Sequence, residues 1–407
     1  MACPRVVNSA TPPGLGQRLR RALRPIRRLV GRFAAPEAGG LPVPGSVRSG
    51  SAAGRVRQVQ RTVNRNHLDE VPIDGSYGPA TEAGVKALQR ELGLPATGVA
   101  DPLTVSLALT RADRLARERA TDLATPRRTL LRLPVPPQPR DPARPGRGHL
   151  ILETASRGWA VKLLQQGGFA GYEAESTACF LALLDRLGPD GLFFDVGANV
   201  GPFSHLAAAV GGWRVVGFEP TPDLASAFRR IAEANQFDAR LEELALGAVP
   251  GAAKLYLSDD SDSSNSLNPQ WRKSSRQLMV PVETLDNYVA RSGAAPAVLK
   301  IDTESTDAEV LAGAQRLLGE HRPWLIVEVV EDEFGGPMEE QVAAFGYTYY
   351  PLLDDRMPMR PQPHLKGSGV SQQWNWLLAP EPLDDAFSEQ VARWRAALAP
   401  CTPEPSD

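Results

Sequence analysis

Phe193-Phe194-Asp195-Val196-Gly197-Ala198-Asn199-Val200-Gly201 sets the architecture that the rest of the chain extends. Leu192 to Val196 is a short apolar run, the pattern of a strand buried on both faces. Gly197 to Gly201 breaks the run, and Pro202-Phe203-Ser204-His205-Leu206-Ala207-Ala208-Ala209 resumes at helical spacing, with Pro202 suited to a first helical turn. The order is strand, glycine turn, helix. Glycines in such a turn let a ligand approach backbone where a Cβ would collide, and the amides at the helix start offer hydrogen-bond donors.

A second strand, Arg214-Val215-Val216-Gly217-Phe218-Glu219, ends on an acid. Glu219 follows Asp195 by the interval at which a βαβ unit sets an acid beside a ribose diol. A nucleoside held beyond the carboxyl ends of parallel strands is therefore expected. A dinucleotide fingerprint needs Gly-x-Gly-x-x-Gly, and this turn lacks the middle glycine. With no pyrophosphate to cradle, that glycine is not required, so the turn fits S-adenosylmethionine (SAM) better than NAD. A nicotinamide oxidoreductase is disfavoured on the same ground.

The segments FFDVGANVGPFSHLAA, VVGFEPTPDL, ALG, SSNSL, VPVETLDNYV, VLKIDTES and WLIVEVVE occur in one order. Together they resemble the FkbM-family class I SAM-dependent methyltransferases, over residues 175–350. The family pattern after the fourth strand runs Lys-Ile-Asp-x-Glu-Gly, and Ser305 stands where that glycine is expected. If the position needs φ > 0, Ser305 is strained or the loop has moved. The fold the resemblance implies is α/β, a Rossmann-like methyltransferase sheet with helices on both faces. It also implies that Ala245 and Leu246 flank adenine.

At 407 residues the chain has room for two domains and connectors. A net charge of −2 argues against wholesale nucleic-acid binding. Cys3, Cys179 and Cys401 are far apart and odd in number, with neither a disulfide framework nor metal-ligand spacing, which points to a reducing compartment. No apolar run approaches the roughly 20 residues that span a bilayer, and the arginine-bearing N-terminus has no apolar signal core. A cytoplasmic protein is the expectation.

Four stretches are expected along the chain. Residues 1–50 form a basic tail with no acid before Glu37. Leu15, Leu19, Leu23, Ile26, Val30 and Phe33 fall near helical spacing among arginines, so this tail reads either as disordered or as a basic amphipathic helix in weak contact with a membrane surface. Residues 51–123 form a small three-helix domain. Val56, Val59 and Val63 make one stripe; Thr81 opens a second helix carrying Val85, Leu88 and Leu92; Asp101-Pro102 opens a third. DGSYGPATEAGVKALQRELGLPATGVAD (residues 74–101) resembles the peptidoglycan-binding type 1 domain, although Leu88 stands where that family has an aromatic and Gly84 where it has alanine. The resemblance implies a glycan partner. Because SAM is cytosolic, three readings stand: a cell-wall precursor, another acceptor glycan, or a retained helical adaptor. Residues 124–148, rich in Pro and Arg, read as a semi-rigid linker.

Residues 149–400 are the expected methyltransferase domain. Ile151-Leu152-Glu153 reads as an edge strand, and Thr177 to Leu187 as a helix over the site preceded by Tyr172 and Glu173. Ala239 to Leu246 reads as the third strand, Ala252 to Leu257 as a hairpin arm, Asp307 to Leu318 and Met338 to Phe345 as helices, and Thr348 to Leu352 with Trp374 to Leu378 as a closing antiparallel pair. The expected cofactor site is Asp195, Gly197, Ala198, Asn199, Gly201, Glu219, Ala245, Leu246 and Asp302. Glu219 is to accept both ribose hydroxyls, and Asp195 to hold the turn or meet the ammonium group.

An oxygen acceptor needs its proton removed. Asp302 and Glu304 are the candidates for base or acceptor orientation; alternatively Asp302 orients the cofactor and Glu304 packs against Lys300. No metal is assigned, although Glu328 is placed to join Asp302 around Mg²⁺. His205, His321 and His364 read as structural, with His364 the outside candidate for a base. The expected activity is O-methylation of a hydroxyl on a glycan or secondary metabolite. The alternative is a non-catalytic SAM-fold scaffold tethered through the helical domain.

Overall fold

Phe193 and Phe194 point to opposite faces of one sheet, as alternation along a strand requires. Phe193 packs with Val215, Val298, Ile326 and Leu377 in a core on one face. Phe194 packs with Phe218, Leu299, Leu325 and Leu378 in a second core on the other. In the computed structural model, residues 46–66, 71–121, 130–136, 148–153, 158–189, 191–353, 358–367, 374–401 and 403 are described. All belong to one compact unit, residues 40–407. Residues 1–45 of the expected basic tail lie outside the described residues; Val47, in its last part, is buried and bridges to Ala100 in the helical unit, which moves the boundary expected at residue 50.

The strands are β1 (Leu130–Pro134), β2 (His149–Glu153), β3 (Leu192–Val196), β4 (Arg214–Phe218), β5 (Ala239–Glu242), β6 (Ala245–Leu246), β7 (Gly251–Leu257), β8 (Arg276–Glu283), β9 (Val298–Ile301), β10 (Trp324–Glu328), β11 (Thr348–Pro351) and β12 (Asn375–Ala379). The central sheet runs β11-β12-β10-β9-β3-β4-β5. The neighbours from β10 through β5 are parallel, and β12 is antiparallel to both β10 and β11. The strand order reverses at β3, so ligands are expected beyond its carboxyl end. Helices Ala174–Leu187, Pro202–Gly211 and Asp385–Leu398 bury side chains in the first core, and Leu285–Ser292, Asp307–Ala312 and Asp332–Val342 in the second.

Several expectations are corrected. The run Ala239 to Leu246 is two strands. β5 completes the central sheet; the chain then leaves it, and β6 pairs with β8 in a separate three-stranded sheet. Glu242 and Glu243 mark the departure, receiving Tyr288 Oη at 3.0 Å and Arg229 Nη1 at 2.9 Å. The helix expected from Asp307 to Leu318 divides into Asp307–Ala312 and Gln315–Glu320. Asp286 supplies the reason, its carboxylate accepting the Arg316 and Leu317 amides, each at 2.9 Å, at the start of the second helix. The helix expected at Met338 to Phe345 begins at Asp332 and ends at Val342, with Pro337 inside it. β2 joins a two-stranded ribbon with β1, a strand lying within the stretch read as linker.

The helical unit comprises Ala53–Arg65, Pro79–Glu91 and Pro102–Thr121 around Val56, Val59, Val63, Val85 and Leu88. Thr81 is not the cap. Gly78 precedes the helix, and the Thr81 hydroxyl accepts from Gln60 Nε2 at 3.0 Å. Asp101 does cap the third helix, accepting the Thr104 amide at 2.7 Å. A Cβ at Gly84 would lie 2.7 Å from Val71 Cγ2, so the missing alanine is a packing requirement of this core. The third helix lies against β7 and β8. Among the described residues no helix is long and apolar enough to cross a membrane.

Candidate functional site

The carboxyl ends of β3, β4, β9 and β10 open into a cavity of about 280 Å³. Asp195, Gly197, Ala198, Asn199, Glu219, Ala245, Leu246, Asp302 and Glu304 all line it, whereas Gly201 and the outside candidate His364 do not. Gly201 sits at the start of the helix Pro202–Gly211 with φ 83°.

The glycine turn is built for the protein's own packing before any ligand. A Cβ at Gly197 would fall 1.8 Å from the Asp302 carbonyl oxygen, and its φ is 78°. The amides of the turn from Gly197 to Gly201 are also all used internally. Gly197 and Ala198 donate to the Phe218 carbonyl at 3.0 and 3.1 Å. Asn199 donates to Glu219 Oε2 at 3.0 Å, Val200 to Asn199 Oδ1 at 2.8 Å, and Gly201 to the Ala198 carbonyl at 2.8 Å. No amide of this turn is left to receive an anion.

Glu219 follows β4 and ties the turn to the next loop, its Oε1 accepting the Thr221 amide at 2.7 Å. Burial pushes its pKa up to about 7, against the pull of the Thr221 and Asn199 hydrogen bonds. Each carboxylate oxygen keeps a second lone pair. Asp195, 2% exposed, accepts from Ser204 Oγ at 2.7 Å, which joins β3 to the following helix.

Beyond β9 lies a dense acidic cluster. Lys300 is 3% exposed and pairs with Asp302 at 2.6 Å. Burial works against its charge, yet Asp302, Glu173 and Asp195 together lift its pKa above the ordinary lysine value. Glu304 does not pack against Lys300 as the alternative reading had it. Its Oε2 accepts from Trp271 Nε1 at 2.7 Å, and burial, with the Asp302 charge, raises its pKa to about 8. Burial also raises Glu328, whose nearest charged neighbours include Asp302 and Glu304. Asp302, Glu304 and Glu328 offer oxygens within 4.8 Å of one another, a spacing that one divalent cation can bridge.

Glu304 and Ser305 have φ of 56° and 85°, so the position where the family pattern carries glycine does need the left-handed region. The loop has kept that shape with a serine, held by Asn268 Nδ2 at 3.0 Å from Ser305 Oγ. Glu173 (φ 43°), Asn199 (φ 54°) and Glu304 are three of the six non-glycine residues with positive φ among those described, and all three line the cavity. Such concentration of backbone strain is a mark of a working site.

Sequence reading missed Trp159, Trp271 and Trp374, Arg272 and the acid Asp262, all lining the cavity. Each is remote in sequence from the glycine turn; Asp262 lies within the Ser/Asp/Asn-rich stretch 259–268 and Trp271 just after it. His205 is buried, hydrogen-bonded through Nε2 to the Val200 carbonyl at 3.1 Å, and burial lowers its pKa to about 3, which makes it structural. His364 lies outside the cavity lining and contacts Glu339 at 3.2 Å, which ends its candidacy as a base.

Parts of the chain are similar to known proteins. Residues 195–349 match the family model described as Methyltransferase FkbM domain, and residues 53–107 match the model described as Putative peptidoglycan binding domain. A curated relative, the 31-O-demethyl-FK506 methyltransferase FkbM of Streptomyces tacrolimicus, is 26% identical over 175 residues, covering 35% of this chain and 66% of its own length. Among solved structures, methyltransferase FkbM from Methylobacillus flagellatus KT aligns with TM-score 0.31 at 16% identity, over 46% of this chain and 43% of its own. Precorrin-6y C5,15-methyltransferase from Geobacter metallireducens GS-15 aligns with TM-score 0.28 at 13% identity, over 50% and 86%. Residues 195–349 are thus similar to the FkbM methyltransferase domain and residues 53–107 to the putative peptidoglycan binding domain, and the acids of the first stretch converge at the carboxyl ends of a mostly parallel sheet.

Proposed function

We propose that this protein is a SAM-dependent methyltransferase acting on a hydroxyl oxygen of a glycan or secondary metabolite. The observation that carries the reading is the turn at Gly197 to Gly201. Its amides are used within the protein, so it cannot hold a pyrophosphate, while Glu219 stands ready for a ribose diol. Seven carboxylates line the cavity against two cations, Lys300 and Arg272, an environment suited to a cofactor carrying a sulfonium and an ammonium.

In this reading Glu219 accepts the two ribose hydroxyls, Ala245 and Leu246 flank the adenine, and Asp195 with the turn faces the methionine half. SAM itself supplies an activated methyl group on a good leaving group. Lys300 pairs with Asp302 and fixes its position. Glu304, held by Trp271, takes the acceptor proton. Much of the remaining acceleration comes from aligning acceptor oxygen, methyl and sulfur.

The direct test is turnover of labelled SAM to S-adenosylhomocysteine with extracts of the source cell, which separates an enzyme from a silent scaffold. Glu304→Gln is expected to lower kcat by about 100-fold or more with SAM affinity intact, and wild-type turnover to rise with pH through about 8. An unchanged kcat in that variant removes Glu304 from the role. The spacing of Asp302, Glu304 and Glu328 favours a second route, in which a divalent cation lowers the acceptor's pKa. Loss of turnover in EDTA, restored by Mg²⁺, would select it.

The helical unit reads as an adaptor, supported by its third helix lying against β7 and β8. Retention of the full chain on purified peptidoglycan would replace that reading with wall binding.

A further inference from the structure

The chain has seven tryptophans, and they fall into two groups. Trp213, Trp324, Trp376 and Trp394 are at most 6% exposed and belong to the cores. Trp159, Trp271 and Trp374 are half-buried, and all three line the cavity. An indole left partly open to water forgoes the burial that its size rewards, unless a ligand completes it.

Their positions tie them to the acidic cluster. Trp271 donates to Glu304 and meets Phe334 edge-on at 5.6 Å. The Trp374 carbonyl accepts the Val329 amide at 2.7 Å, beside Glu328. Trp159 lies 6.2 Å from Trp374 and 6.3 Å from Tyr172. Indole surface therefore flanks the carboxylates Glu304 and Glu328 from two chain segments more than a hundred residues apart.

Charge narrows the ligand. Lys300 is already paired with Asp302, and Arg272 stacks 4.4 Å over the Trp271 ring at the exposed rim. A phosphorylated or carboxylated acceptor would add negative charge beside acids that burial already makes reluctant to ionise, with no buried cation free to offset it. A flat phenolic ring would use the indoles but needs only one or two polar partners. A saturated ring with several hydroxyls uses both features: C–H faces against indole, and hydroxyl donors around its edge for Glu304, Glu328 and their neighbours.

Resting on the methyl-transfer reading, we infer that the acceptor is an uncharged sugar ring seated among Trp159, Trp271 and Trp374, with its hydroxyls directed to Glu304 and Glu328. The acceptor hydroxyl gives its proton to a carboxylate as its oxygen bonds the methyl carbon, and the carbon–sulfur bond breaks with its electron pair passing to sulfur. Trp271 is a specificity residue in this arrangement.

The test uses the full chain with SAM and a panel of uncharged methyl hexosides and methyl deoxyhexosides, the corresponding 6-phosphates and uronic acids, and phenol and catechol, reading S-adenosylhomocysteine. Turnover of one or more uncharged glycosides is expected, with the charged versions about 100-fold or more lower in kcat/KM. Trp271→Leu should raise the acceptor KM about tenfold and leave the SAM Kd unchanged by calorimetry. Trp271→Phe should recover most of that loss, because the ring is restored while the Glu304 hydrogen bond is not. Turnover confined to charged or phenolic acceptors, no turnover of any uncharged glycoside, or an unchanged KM in Trp271→Leu overturns the inference. Absence of SAM binding in the wild-type protein instead removes the reading beneath it, so the two failures are distinguishable.

Discussion

Replacing Glu219 by alanine removes the carboxylate that joins the glycine turn to the loop after β4. Without ligand, the Asn199 and Thr221 amides lose their acceptors at 3.0 and 2.7 Å. With SAM bound, two charge-assisted hydrogen bonds to the ribose are also lost, each worth about 1.5–3 kcal/mol. The sum is about 3 kcal/mol at the low end, or about 100-fold in Kd. Isothermal titration calorimetry with SAM reads this directly, with a cooperative thermal transition to show that the variant folds. The wild-type protein offers an internal control through pH. Burial holds the Glu219 pKa near 7, above the ordinary glutamate value of 4.5, so the native state keeps its proton between those values. The ionised form accepts from two hydroxyls, whereas the protonated form must use one oxygen as a donor. SAM affinity should therefore fall as pH drops through about 7. In Glu219→Gln the affinity should start weaker and lose that pH step. A folded Glu219→Ala protein binding SAM within about twofold of wild type would refute the reasoning, since so small a change is below about 0.5 kcal/mol.

Two further substitutions probe the acidic cluster and its loop. Lys300→Met leaves Glu173 and Asp195 buried without their shared cation, and should cost about 3–5 kcal/mol of unfolding free energy at pH 8. Those carboxyls then hold protons to higher pH in the folded than in the unfolded state, so the penalty shrinks as pH falls toward 5.5; equal losses in urea titrations at both pH values would count against the assignment. Ser305→Gly relieves a φ of 85° but loses the bond from Asn268. Left-handed strain costs about 1–2 kcal/mol against about 1 kcal/mol for the hydrogen bond, so the melting temperature should rise by about 1–2 °C. In Ser305→Ala, which loses the bond and keeps the strain, it should fall; the opposite order by scanning calorimetry would show that the backbone there is relaxed.

Much of the central sheet was legible because its signals are local. The run Leu192 to Val196, the glycine turn, Pro202 and the acid after Phe218 each declare themselves within a few residues, through burial on two faces and the steric demands of a tight turn. The same locality brought Asp195, Glu219, Asp302 and Glu304 forward as site candidates, and each lines the cavity. Where the chain's course depends on distant partners, local pattern misled. Ala239 to Leu246 is a continuous strand by composition, but β8, some forty residues on, draws Ala245 and Leu246 into another sheet. Nothing near Asp307 announces that Asp286 will start a new helix at Gln315.

Sequence alone determined the strand, turn and helix from Leu192 to Gly211 and the acids that follow β4 and β9, because covalent neighbours decide those features. Tertiary structure decided which acids meet, which amides of the turn are used internally, and which tryptophans stay half-open. Those depend on atoms brought together from segments a hundred or more residues apart, as when Trp159 meets Trp374 and Glu173 accepts from Asn375 at 2.9 Å.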